Sequence, residues 1–268
     1  MELTTPPVID DPTEHQAAPL SHASAPPNET VVELIMRAAQ FARRPALKLP
    51  PPIQWLPFVL RMTLIDCVLR VGTIWLVLAG QAILGGAEYA GFDAEGGIEG
   101  VNPLALILLA VILAPLLEET AMRLLIHPFD DRRFWVSVTV WSAFIAMNGL
   151  AAPSLLILGV LPLVLILWRL FSVGGEKVSG VSRAHRSWNT HPARVVWYCT
   201  IGFALMHVAN YSLPISNWRL IAVFLLVVPQ LVGGLLITYT RVRTNIWGAM
   251  LHHGLSNLAF VFPVLFAT

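Results

Sequence analysis

Residues 103–127 read PLALILLAVILAPLLEETAMRLLIH, an unbroken apolar run from Pro103 to Leu117 followed by Glu118, Glu119 and Arg123 before the apolar residues resume. A stretch of this length is close to the ~20 residues a helix needs to cross a ~30 Å hydrocarbon layer. Three ionisable groups near its far end carry a large insertion cost, about 2.5 to 3.5 kcal/mol for a charge at a helix centre. The fold and the chemistry are therefore read from the same segment.

The rest of the chain has the same character. Of 268 residues, 56% are hydrophobic and only 12% charged, with a mean hydropathy of +0.69. A soluble globule averages about 25% charged residues and could not keep so apolar a surface in water, so an ordinary water-soluble enzyme is excluded. Further apolar stretches lie within 53–86 and at 134–150, 153–171, 194–213, 218–240 and 245–267. Together with 103–127 they predict an all-α, polytopic transmembrane helix bundle of about seven spans. Within the first, Asp66 and Arg70 are spaced i,i+4 and should pair, which makes its early part interfacial or buried in protein.

Basic residues fall on alternate connections. Arg37, Arg43, Arg44 and Lys48, then Arg132 and Arg133, then Arg169, Lys177, Arg183, Arg186 and Arg194, then Arg241 and Arg243 share one side. The segment carrying Glu88, Asp93, Glu95 and Glu99 has no basic residue, and Arg219 alone breaks the pattern. The expected topology has a cytoplasmic N-terminus and an outer C-terminus. Residues 1–30 are polar and proline-rich, and are expected to form a disordered cytoplasmic tail. Residues 31–52 read as an amphipathic juxtamembrane segment, with Ile35, Ala38, Ala39 and Ala42 on one helical face and Arg37, Arg43 and Arg44 elsewhere. Residues 53–268 form the bundle. The net charge of +1 and the lack of a basic patch interleaved with aromatics exclude nucleic acid as a partner. Cys67 and Cys199 have no metal-type spacing and read as small apolar core residues.

Intramembrane polar groups are the functional candidates. Beside Glu118, Glu119 and Arg123 there are His207, in FALMHVAN, and His252, His253 and Asn257, in MLHHGLSN. At about 100° per residue, Glu119 and Arg123 share a face and can neutralise each other. Glu118 is left without a partner on its own helix, free to meet His207, His253 or Asn257. A carboxylate can act as general base on water, an imidazole can shuttle the proton, and imidazole and carboxamide N–H groups can stabilise an oxyanion. Those are the parts for hydrolysing an amide, with no serine or cysteine placed beside them as nucleophile.

The motifs Glu118-Glu119-x-x-x-Arg123, Phe203-x-x-x-His207 and His253-x-x-x-Asn257, in that order on three apolar stretches, resemble the CPBP family of intramembrane proteases. That family includes the type II CAAX prenyl endopeptidases of eukaryotes and many bacterial members, some linked to bacteriocin processing or self-immunity. The resemblance covers about residues 103–262. It implies that Glu118 activates water with His207 as partner, that His253 and Asn257 stabilise the oxyanion, and that Glu119, Arg123 and Phe203 support the site. His252 has Ser256 rather than Asn four residues on, so His253 fits the third motif. Family members often carry an aromatic residue before the motif-one arginine and a glycine after it; Met122 and Leu124 stand there in this chain, a departure that leaves the catalytic set intact and bears on the shape of the substrate groove and on any prenyl-CAAX specificity.

The expected activity is an intramembrane endopeptidase acting on a membrane-embedded or lipid-anchored protein or peptide, without a cofactor, its site opening toward the cytoplasm. Counted from the cytoplasmic ends, Glu118 lies roughly 13 Å deep, His253 roughly 12 Å, Asn257 roughly 18 Å and His207 roughly 20 Å. The alternatives are a zinc-dependent protease using Glu118, His207 and His253 as ligands, a proton relay in a transporter with spans four and six broken at Pro162 and Pro229, and a non-catalytic scaffold or immunity factor. A low lysine count and the lack of organelle signals point to a bacterial inner membrane.

Overall fold

The computed structural model describes residues 29–83, 102–126, 131–151, 190–207 and 219–263. Every regular element among them is helical: α1 (Val31–Arg43), α2 (Trp55–Ile83), α3 (Pro103–Met122), α4 (Asp131–Ala151), α5 (Pro192–Met206), α6 (Arg219–Arg243) and α7 (Ile246–Val261). Each expected span except 153–171 coincides with one of them; that stretch, Pro162 and nearly all of the expected tail lie outside the described residues. Pro229 sits inside α6 without ending it. Among the described residues α3 is the one helix long and apolar enough to cross a bilayer, with a mean hydropathy of 2.1 and only 22% of its most apolar window buried.

Local sequence sets the helix boundaries. Thr30 and Glu33 form a capping box at the start of α1, the Glu33 carboxylate accepting from Thr30 N at 2.7 Å while Thr30 Oγ1 accepts from Glu33 N at 3.3 Å. The backbone and side-chain hydrogen bonds from Thr30 hold the Glu33 carboxyl below its usual range. Asn102 caps α3, its side chain accepting from Leu104 N at 2.8 Å, and Pro103 takes the first helical position, where no N–H is missed. Asn245 does the same for α7 through Gly248 N at 3.0 Å.

Helix α3 departs from α geometry in its middle, where Leu108–Leu113 is π-helical. Pro115 follows directly. It has no N–H to return to the preceding turn, so carbonyls that an α or π ladder would pair there are freed. At its C-terminus α3 finishes with Arg123, and its last carbonyls are taken up by neighbours: Ser137 Oγ of α4 donates to Ala121 O at 2.5 Å, and Arg241 Nε of α6 donates to Arg123 O at 3.2 Å.

Helix α6 packs against α2, α5 and α7, and α7 against α2 and α3. The largest core cluster lies at the end of the bundle where α1 docks. Leu34, Ala38 and Phe41 of α1 are buried there against Phe58, Met62 and Tyr239. Of the face expected to lie at a membrane surface, Ile35 and Ala39 are exposed and Ala38 is buried, while Leu34, 1% exposed, faces the bundle. The seat is fixed by Glu29, whose carboxylate pairs with Arg37 and Arg243 and whose carbonyl accepts from Arg61 Nη1 at 2.7 Å. The start of α2, the ends of α3 and α6 and the start of α4 thus meet at one end of the bundle, all beside basic residues.

Candidate active site

Three helices bring the singled-out residues together. Glu119 and Arg123, a turn apart at the end of α3, form a fully buried ion pair. Arg123 also donates from Nε to Thr238 Oγ1 at 3.0 Å and from Nη2 to Gly234 O at 3.0 Å, both on α6. Its guanidinium lies 4.3 Å from the centre of the Phe203 ring. Through these contacts the pair binds α3 to α5 and α6.

Glu118 points another way. Its Oε2 lies 3.8 Å from His207 Nε2 and 3.8 Å from His253 Nε2. It is buried and accepts no hydrogen bond among the described residues. A separation of 3.8 Å exceeds hydrogen-bond range, so the carboxylate faces two imidazoles without bonding either. A buried carboxylate oxygen left this way is costly in a structure that pairs most of its polar groups.

Each imidazole is fixed by its other nitrogen. His207 Nδ1 donates to Phe203 O at 2.9 Å, one turn back on α5. His253 Nδ1 lies 2.9 Å from Glu119 Oε1, and a carboxylate paired to arginine only accepts, so that nitrogen carries the proton. In its neutral form each ring therefore presents an Nε2 lone pair toward Glu118. The Phe203 ring sits between them, its centre 4.6 Å from His207 and 5.4 Å from His253, edge-on to the latter. Phe203 thus lies against both imidazoles and the Arg123 guanidinium.

Asn257 is placed differently. Its Nδ2 donates to Ala110 O at 2.8 Å, a carbonyl of the π-helical stretch. In π register Ala110 O would have met the N–H of residue 115, which is proline; Asn257 supplies the missing donor. One turn earlier, a Cβ on Gly254 would come within 2.6 Å of Val111 O. Glycine there lets α7 approach close enough for Asn257 to reach. The signal for this contact was Pro115 in the middle of a span.

His252, next to His253, faces away from Glu118. Its Nε2 lies 3.4 Å from Asp66 Oδ2, and Asp66 is paired with Arg70 as its spacing required, Nε to Oδ1 at 2.8 Å. Sequence reading found that ion pair but not its histidine. Among the described residues no group of three or more His, Cys, Asp and Glu side chains is disposed to hold a metal ion.

Among the described residues every regular element is helical, and a buried acid on one helix faces two oriented imidazoles on two others. The family model described as Type II CAAX prenyl endopeptidase Rce1-like matches residues 178–259, and this match supports the CPBP, or CAAX protease, family for the chain. It takes in Phe203, His207, His253 and Asn257 and leaves Glu118, Glu119 and Arg123 outside it. No curated protein and no solved structure matches the chain. The family is one of proteases acting on membrane-associated proteins.

Proposed function

We propose that the chain is an intramembrane endopeptidase in which Glu118 activates water to hydrolyse a peptide bond of a membrane-embedded or lipid-anchored protein. The observation that carries this reading is the disposition of Glu118 Oε2, buried, without a hydrogen bond among the described residues and 3.8 Å from each of two Nε2 atoms. A water hydrogen-bonded to the carboxylate falls within reach of His207 as well. As its oxygen attacks the carbonyl carbon, one proton passes to Glu118, which then delivers it to the leaving amine. His207 accepts from the attacking water, and His253 donates to the developing oxyanion when its Nε2 is protonated. Asn257 has a second amide hydrogen beyond the one on Ala110 O, available to the same oxyanion.

A membrane setting accounts for the large apolar side chains left outward on α2, such as Leu64, Val68, Trp75 and Leu76, each more than 60% exposed. We read about seven spans. The end of the bundle where Arg37, Arg61, Arg241 and Arg243 gather is assigned to the cytoplasm of a bacterial inner membrane. Glu119 and Arg123 lie near that end of α3, so the site opens toward it.

Comparison of membrane-protein termini in cells making wild type or Glu118→Gln tests the reading. New termini that require Glu118 are expected; identical sets from both would sink it. A zinc-dependent version has one observation in its favour. Both imidazoles are anchored through Nδ1, His253 by a carboxylate, as histidine ligands of zinc commonly are. It requires turnover that chelators remove and zinc restores.

A further inference from the structure

Beside the candidate site, and sharing no residue with it, lies a second buried polar cluster. Asp66 Oδ1 is paired with Arg70, and its Oδ2 accepts from Ser256 Oγ of α7 at 2.8 Å and faces His252 Nε2 at 3.4 Å. His252 Nδ1 shares a hydrogen bond of 2.9 Å with Thr240 Oγ1 of α6. Asp66, His252, Ser256 and Thr240 are all 0% exposed. An Asp, a His and a Ser are the parts of a hydrolytic triad, but the wiring is wrong for one. Ser256 donates to the acid, not to the imidazole, and nothing reaches it from outside.

The cluster instead repeats the plan of the candidate site. In both, an acid and an arginine stand i,i+4 on one helix, Asp66 with Arg70 on α2 and Glu119 with Arg123 on α3. In both, the acid faces one of two consecutive histidines of α7. In both, the guanidinium lies against one of two consecutive glycines of α6. A Cβ on Gly233 would run into the guanidinium of Arg70, and one on Gly234 would come within 2.8 Å of Phe203 Cδ1 and 3.4 Å of Arg123 Nη2.

Consecutive residues of a helix project about 100° apart, so a grip on His252 from α2 fixes the rotation of α7 about its axis. That rotation sets the distance from His253 Nε2 to Glu118. We propose that Asp66, Arg70, His252 and Ser256 are positioning residues for the hydrolysis, holding α7 from a second side, about 100° round the helix from the grip of Glu119, so that His253 meets Glu118 in register. This rests on the protease reading above. A turn of α7 by about 10° would move the imidazole by about 1 Å, a displacement that can cost about 100-fold in rate.

The test uses the full-length protein in phosphatidylethanolamine–phosphatidylglycerol vesicles. Its substrate is a quenched fluorescent peptide built on a terminus that appears only with active Glu118. Asp66→Asn is expected to lower kcat by about 100-fold and Ser256→Ala by about 10-fold, with KM within about twofold of wild type. Ser256→Ala removes one hydrogen bond and keeps the fold, and Ser256→Thr, which keeps the hydroxyl, restores most of the rate. Unchanged kcat per folded molecule in Ser256→Ala and Asp66→Asn, whatever happens to yield, overturns the positioning role and leaves the protease reading intact. Absence of any Glu118-dependent turnover overturns both.

Discussion

Replacing Arg123 with methionine keeps an unbranched apolar stem and removes the guanidinium with its charge, and the structure fixes what is left behind. Glu119, 0% exposed, would lose its cation and keep only His253 Nδ1 on Oε1, while its Oε2 has no partner among the described residues even now. Breaking a buried pair on one side costs about 3 to 5 kcal/mol, because the surviving charge is uncompensated. Loss of the stacking of Arg123 on Phe203, at 4.3 Å, adds to this. Against a total stability of about 5 to 15 kcal/mol that is about a fifth or more. At about 2 to 4 °C per kcal/mol, the thermal midpoint of the detergent-purified protein should fall by about 6 to 20 °C. Adding Glu119→Gln removes the stranded charge, and the amide oxygen still accepts from His253. The double variant should therefore recover about 2 kcal/mol or more relative to Arg123→Met. A midpoint for Arg123→Met within about 2 °C of wild type, or a double variant that simply adds two losses, would refute this account of the pair.

Other outcomes follow from single contacts. Glu118→Gln should abolish turnover on the reporter peptide while leaving the thermal midpoint equal or higher, since the buried Oε2 has no hydrogen bond among the described residues to lose; a clear drop in midpoint would show Glu118 to be structural. Asn257→Ala should lower turnover by about 10² to 10³-fold as an oxyanion donor and also cost about 1 to 3 kcal/mol by stranding Ala110 O, measured by kinetics and thermal unfolding on the same preparation. Treatment with a zinc chelator should leave turnover unchanged, and a loss that added zinc reverses would establish the metal-dependent version instead.

What could be read from the sequence were the relations set by one helix. Glu119 and Arg123, like Asp66 and Arg70, pair because i,i+4 spacing allows nothing else so close. The same spacing left Glu118 turned toward other helices, where it faces two of its three expected partners. Relations between helices were legible only where a local rule constrained them. The choice of His253 over His252 rested on the residue four positions on, and the structure gives the reason for both: Asn257 reaches Ala110 O, whereas Ser256 belongs with His252 on Asp66. The Asn257 contact itself was hidden, because a carbonyl freed by Pro115 falls at Ala110 or Val111 according to a π register that hydropathy does not encode. The face by which α1 docks was hidden for a related cause: the anchor at Glu29 turns Leu34 and Phe41 onto the bundle, a contact between distant segments.

In the proposed hydrolysis the same contacts restrict where protons can reside. Glu119 and Arg123 neutralise each other, and His253 spends its Nδ1 proton on Glu119. His253 can donate to an oxyanion only with a second proton on Nε2, and Glu118 can act as base only with none on Oε2. Both conditions are met by one arrangement, Glu118 as carboxylate and His253 as imidazolium, which is neutral as a pair. Glu119 is what makes that arrangement tenable, because its charge lies against the imidazolium at 2.9 Å. Glu119→Gln keeps an acceptor for Nδ1 and withdraws the charge. It should therefore lower kcat per folded molecule by about 10-fold or more, at a stability cost of about 3 to 5 kcal/mol for the uncompensated Arg123, which keeps Thr238, Gly234 and Phe203. Full activity in Glu119→Gln would mean that His253 works as a neutral ring, and the donor to the oxyanion would then be Asn257 alone.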